Sequence, residues 1–124
     1  MPVPFDVLHV PAHAVTLDDC TRETITGITD LQRLVGGYVE QFPVPASDSV
    51  IMYGDEEGLI KDSPTNTLAA CILDRYATRA GTHRVQRIVG DVVFAAYDPR
   101  LGEQDVPDSF IRDLQDHLPR TPVE

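Results

Sequence analysis

The sequence predicts a single α+β domain, residues 1–124, with a small mixed or mainly antiparallel sheet and helices packed on one side. Three observations lead there. Apolar residues recur at helical spacing in three segments, and they alternate or form short runs in four others. The two kinds of segment are interleaved, in the order strand, helix, two strands, helix, strand, helix. The 124 residues, 42% of them hydrophobic, suffice for one domain with a core that needs no disulfide or structural metal.

Phe5, Val7, Leu8 and Val10 followed by Pro11 read as a first strand ending at the proline. The polar, Thr-rich stretch Thr16–Gly27 has no clean period and reads as a loop. Thr29 and Asp30 are N-cap types ahead of Leu31, Leu34 and Val35, which share one helical face. Gly36-Gly37 supplies the stop, because glycine accepts the left-handed conformation at a helix C-terminus. Tyr38–Val44 alternates as a strand, which Pro43 places at an edge or an end. Ser49–Tyr53 is the next strand, and Gly54–Gly58 is a tight turn returning through Leu59 and Ile60.

Asp62-Ser63-Pro64-Thr65-Asn66 leads into an amphipathic helix on which Leu68, Ile72 and Tyr76 recur every fourth residue, ending near Gly81. Val85–Ala96 is nearly continuously apolar and reads as a central strand buried on both faces, with Gly90 marking a bulge or a close backbone approach. Phe110, Ile111, Leu114 and Leu118 behind Asp108 and Ser109 form a terminal helix that Pro119 closes, and the last five residues are expected to fray. Leu31, Leu34, Leu68, Ile72, Val92, Phe94 and Leu114 are expected to share one core.

Ten basic residues against twenty acids give a formal charge of −10. That charge opposes non-specific binding to a nucleic-acid backbone, which depends on Lys and Arg contacts, and it favours basic partners. The start MPVPFDVLHV lacks the basic and long apolar regions of a secretory signal. The longest apolar stretches, Leu68–Leu73 and Val92–Tyr97, fall far short of the ~18 residues that suggest a membrane span. A cytoplasmic protein without a membrane segment is expected. Cys71, among Ala70, Ile72 and Leu73, is expected to be buried and reduced, and Cys20, after two aspartates, to be the more readily labelled thiol.

No phosphate-binding glycine loop, paired-cysteine motif or nucleophile spacing occurs. His9, His13, His83 and His117 have no metal-ligand spacing, and the acidic turn lacks the alternating ligands of a calcium loop. No cofactor, metal or reaction is therefore predicted. The candidate site residues are polar or glycine positions that packing alone does not demand. The Gly36-Gly37 pair either stops the first helix or forms an anion-binding concavity, and Gln32 either contacts a ligand or bonds the neighbouring backbone. Asn66 either caps the second helix or lines a pocket at its N-terminus. Asp91, inside an apolar strand, must be paired, exposed at a bulge, or functional. Glu40 is either an exposed alternation residue or a carboxylate at a pocket edge. Arg75 and Arg79, with His83, Arg84 and Arg87, form a local basic cluster that either pairs with nearby acids such as Asp74 or holds a phosphate-bearing ligand.

Four strings, LQRLVGGYVE at 31–40, DEEG at 55–58, NTLAACIL at 66–73 and IVGDVV at 88–93, together resemble the phage, plasmid and bacterial proteins grouped as domain of unknown function 3846. The resemblance covers about residues 31–94. The family commonly has Asn where Asp55 stands, and Pro and Thr where Thr67 and Ala70 stand. The resemblance implies one compact fold and an accessory domain of a mobile genetic element, acting on a protein or small-molecule partner by binding rather than catalysis. Two alternatives remain open. One is a nucleotide-ligand binder built on Asn66, the Gly36-Gly37 region and the arginine cluster. The other is an acidic mimic of nucleic acid that occupies a host enzyme. Any site is expected where Asn66 meets the Gly36-Gly37 corner and Gly90-Asp91.

Overall fold

Side-chain alternation along two central strands sets the architecture. In β5 (Val92–Asp98), Val92 and Phe94 face one side and Val93 and Ala95 the other, and all four are buried. In β4 (Val50–Asp55), Val50 and Met52 face the first side and Tyr53 the second, again buried. A sheet whose centre is apolar on both faces must be covered on both. The computed structural model, which describes residues 3–47, 49–83 and 87–118, shows that cover as two separate clusters.

The remaining strands and α-helices are β1 (Phe5–Val10), β2 (Thr21–Ile25), α1 (Ile28–Val35), β3 (Val39–Pro43), α2 (Thr67–Arg79), β6 (Gly102–Gln104) and α3 (Asp108–His117), with a 3-10 turn at Leu17–Asp19. The sheet is antiparallel throughout and runs β2-β1-β5-β4-β3. β6 pairs with the end of β5, Ala96↔Gln104, whereas β1 pairs with its start, Val10↔Val92.

The α+β class with an antiparallel sheet is as the sequence predicts, but the helices are not all on one side. Leu68, Ile72 and Tyr76 of α2 and Phe110 and Leu114 of α3 pack on Val10, Met52 and Phe94. Leu31, Leu34 and Val35 of α1 pack on the opposite face, against Val7, Tyr53 and Val93. The single expected core is accordingly two, with Leu31 and Leu34 separated by the sheet from Leu68, Ile72 and Leu114.

Other differences have local causes. Thr21–Ile25, expected as loop, pairs with β1 from Thr21↔His9 to Phe5↔Ile25. Only Ile25 of this edge strand is buried, so no apolar alternation announces it. The run Val85–Ala96 is not one strand. Gly90 adopts φ +72°, and regular pairing begins only at Val92 with β1 and at Val93 with β4; the start of that run, 85–86, lies outside the described residues. Leu59 and Ile60 stay in the turn after β4 and are exposed rather than forming a return strand. Gly27, not Thr29 or Asp30, precedes α1; the Asp30 carboxylate instead accepts from the Thr26 backbone N–H at 3.0 Å. Cys71 is exposed and Cys20 is half-buried, the reverse of expectation, because α2 turns Leu68, Ile72 and Tyr76 inward and Cys71 away. Pro119 and the final residues lie outside the described residues.

Candidate functional site

Asn66 caps α2 as its residue type suggests, and does more. Its Oδ1 accepts from the Ala69 N–H at 3.0 Å, while Nδ2 donates to the carbonyls of Val10, 3.0 Å away, and Gly90, 2.9 Å away. The residue is 0% exposed. One amide therefore ties the start of α2 to the end of β1 and to the turn before β5. The Asn66 N–H donates to Ile88 and the Gly90 N–H to Pro64, which zips the segment before α2 onto the segment before β5.

Asp91 lies beside this joint and is paired, one of the three readings left open by the sequence. Its Oδ1 accepts from the Ala12 N–H at 2.8 Å, and its Oδ2 lies 3.0 Å from His9 Nε2. His9 Nδ1 in turn lies 3.4 Å from Glu23. This acid–histidine–acid row was missed in the sequence, where His9, Glu23 and Asp91 have no informative spacing. Only the pairing of β2 on β1 brings Glu23 alongside.

Gly36 closes α1 at φ +82°, and both Gly36 and Gly37 donate to the Gln32 carbonyl. This is the helix stop read from the sequence. Gly37 has a second role: a β-carbon there would lie 2.6 Å from Asp55 Oδ1. The side chain of Asp55 is only 5% exposed and pairs at 2.9 Å with Lys61, whose ammonium pKa it raises. The acidic turn is thus not simply solvated; its first carboxylate locks the α1–β3 corner. Gln32 and Gly37 also border a shallow surface recess with Tyr38, Glu57 and Lys61.

Arg75 and Arg79 pair with Asp113 of α3 at 3.3 and 2.7 Å, and Asp113 also accepts from Tyr76 Oη at 2.7 Å. Partial burial pushes the Asp113 carboxyl up, but hydrogen bonds from Arg75, Arg79 and Tyr76 outweigh it and hold it well below the usual range. Burial, reinforced by the bond to Asp113, pushes the Tyr76 phenol up to about 12. Arg87 bonds Thr65 Oγ1 instead, 2.8 Å away, and Arg84 lies outside the described residues.

These positions do not form one pocket. Asn66 and Asp91 meet through Gly90; the Gly36-Gly37 corner sits with Asp55 on the α1 side; Arg75 and Arg79 lie between α2 and α3. The groups that a nucleotide site would combine are consequently engaged in three different joints.

A cleft opens elsewhere, where the β3–β4 end of the sheet meets the segment before β5. Phe42, Met52 and Val92 line it on the sheet side, and Leu59 and Val89 belong to the chain that crosses it. Its charged members are the exposed Glu40, Glu56 and Arg87 and the half-buried Asp55. Its enclosed space is only about 30 Å³, far below a small-molecule pocket, and the rest of it opens to solvent. A β-carbon at Gly54 would stand in that space, 3.4 Å from Phe42 Cε2 and 3.8 Å from Val92 Cγ1. Glu40 is thus both an exposed alternation residue and a pocket-edge carboxylate. Phe42 and Gly54 carried no signal of their own in the sequence, and Arg87 stood out only as a member of the basic cluster. Three of the four family-like strings nevertheless contribute, through Glu40, through Asp55 and Glu56, and through Ile88, Val89 and Val92.

Among the described residues no helix is long and apolar enough to cross a membrane, and no cluster of His, Cys, Asp and Glu is arranged to hold a metal ion. Fold and joints define an α+β domain with a six-stranded antiparallel sheet covered by helices on both faces. The chain belongs to the family described as Domain of unknown function (DUF3846), whose profile matches residues 7–119, nearly its whole length. No curated protein and no solved structure matches it.

Proposed function

We propose that this chain is an accessory domain of a mobile genetic element that acts by binding rather than catalysis, and that the cleft between β3, β4 and residues 87–92 is its docking point. The observation that carries this reading is the convergence of three family-like strings on one partly open cleft. The other joints consume their polar groups in holding the fold, whereas the cleft leaves apolar surface beside exposed carboxylates. With about 30 Å³ enclosed it is too small to surround a free metabolite, and its open mouth leaves room only for part of a larger partner to rest on it. With Glu40 and Glu56 at its border and a chain charge of −10, the occupant is an apolar group flanked by positive charge.

Benzylammonium chloride, a minimal apolar cation, tests this in an amide NMR titration. Chemical-shift changes confined to Phe42, Met52, Val89 and Val92 and their neighbours, and lost in Gly54→Val, are expected. Changes absent from these residues, or equally large in Gly54→Val, would remove the cleft from consideration.

A further inference from the structure

Among the described residues, the strand that borders the cleft has one unpaired side. β3 is the last strand of the sheet and, among these residues, pairs only with β4. Its hydrogen-bond phase follows from its two ends. Tyr38 O accepts from the Glu56 N–H at 2.7 Å, and the Val44 N–H donates to Val50 O at 3.1 Å. Because antiparallel pairing alternates, the even-numbered residues 38 to 44 turn their backbone groups toward β4. Val39, Gln41 and Pro43 turn theirs outward. The free edge therefore presents the N–H groups of Val39 and Gln41 and the carbonyls of Val39, Gln41 and Pro43. Pro43 lacks its donor on this same side, where it disturbs no internal bond.

Side-chain direction links this edge to the cleft. Glu40 and Phe42 lie on the α2 face in register with Gly54 and Met52, and all four line the cleft. A strand added beside β3 would set its alternate side chains next to Glu40 and Phe42. We infer that the partner is an extended segment of a basic protein, which pairs with β3 at Val39 and Gln41 and places an apolar side chain in the cleft with a Lys or Arg beside Glu40. The inference rests on the cleft reading above and adds the strand pairing. Main-chain bonds supply affinity in such an arrangement, and the pockets for alternate side chains supply specificity. Charge selects against a second copy of this chain, which would set Glu40 and its −10 charge against their like.

An eight-residue peptide of alternating lysine and valine with one central phenylalanine is the probe, compared with the same peptide methylated on every backbone nitrogen. Both carry identical side chains and charge, but only the first can donate to β3. The first peptide should bind, slow hydrogen exchange at the Val39 and Gln41 amides, and lose at least tenfold in affinity on methylation. Gln41→Pro, which removes an outward N–H and no ladder bond, should lose a similar factor while its melting temperature holds. Equal binding of both peptides, with shifts at Phe42 and Val92, would overturn strand addition and leave the cleft standing. Failure of both peptides together with failure of benzylammonium would overturn both. If Gln41→Pro does not fold, the peptide pair alone decides.

Discussion

The Asp55 carboxylate lies against the α-carbon of Gly37, so close that a β-carbon there would sit 2.6 Å from Oδ1 and 2.7 Å from Cγ. Two family-like strings separated in sequence meet at this contact, and Lys61 holds the carboxylate in place from outside. Gly37→Ala is expected to displace the Asp55–Lys61 pair and cost about 1–3 kcal/mol, as overpacking does. In an Asp55→Ala background the obstructing atoms are gone, so the same change should cost clearly less. Urea denaturation of the four proteins measures the coupling. Additive costs would show that the contact does not account for the glycine.

Asn66→Ala should cost about 2–5 kcal/mol, since it removes a helix cap and leaves the buried carbonyls of Val10 and Gly90 without their donor. Asn66→Asp separates the two roles. It keeps an acceptor for the Ala69 N–H but sets a carboxylate against two carbonyls, so at neutral pH it should destabilise at least as much. An Asp variant as stable as the parent in urea would show that only the cap matters.

Asp113 predicts an acid limb of stability. Its folded pKa is depressed, so its contribution is complete above the ordinary carboxylate value near 3.8 and is lost as pH falls below that. Asp113→Asn should lower stability at pH 7 by about 1.5–3 kcal/mol, the range for hydrogen bonds to a charged group. It should also flatten the fall between about pH 4 and pH 2. An Asn variant with an unchanged acid limb would place that limb in other carboxylates.

The two thiols should differ in reactivity. Cys71 is exposed, whereas Cys20 is half-buried and its thiol is pushed up to about 11 by burial and by Asp19. Native labelling with a maleimide followed by peptide mass mapping should modify Cys71 first. Faster modification of Cys20 would contradict the orientation of α2.

The sequence by itself determined the helices, because each carries its own pattern and punctuation. Leu68, Ile72 and Tyr76 behind Asn66 define α2, and Gly36 defines the stop of α1. It also marked Asp91 as a carboxylate that must be paired, exposed at a bulge or functional, since an isolated buried charge is costly. It could not show that the partner is His9, because pairing across a sheet joins residues whose separation along the chain carries no period.

Tertiary structure alone decided the rest. The edge strand β2 is polar on its exposed side, so only its register with β1 makes it a strand. The nearly continuous apolar run of β5 already demanded cover on both faces, yet which helix goes to which face depends on the path of the chain between elements. The cleft likewise arises from Phe42, Gly54 and Val89, residues unremarkable in their own segments. Local pattern fixes what the helices and the apolar strands become, because it reflects interactions within a few residues. Sites and faces depend on which distant segments meet, and that is settled only when the sheet closes.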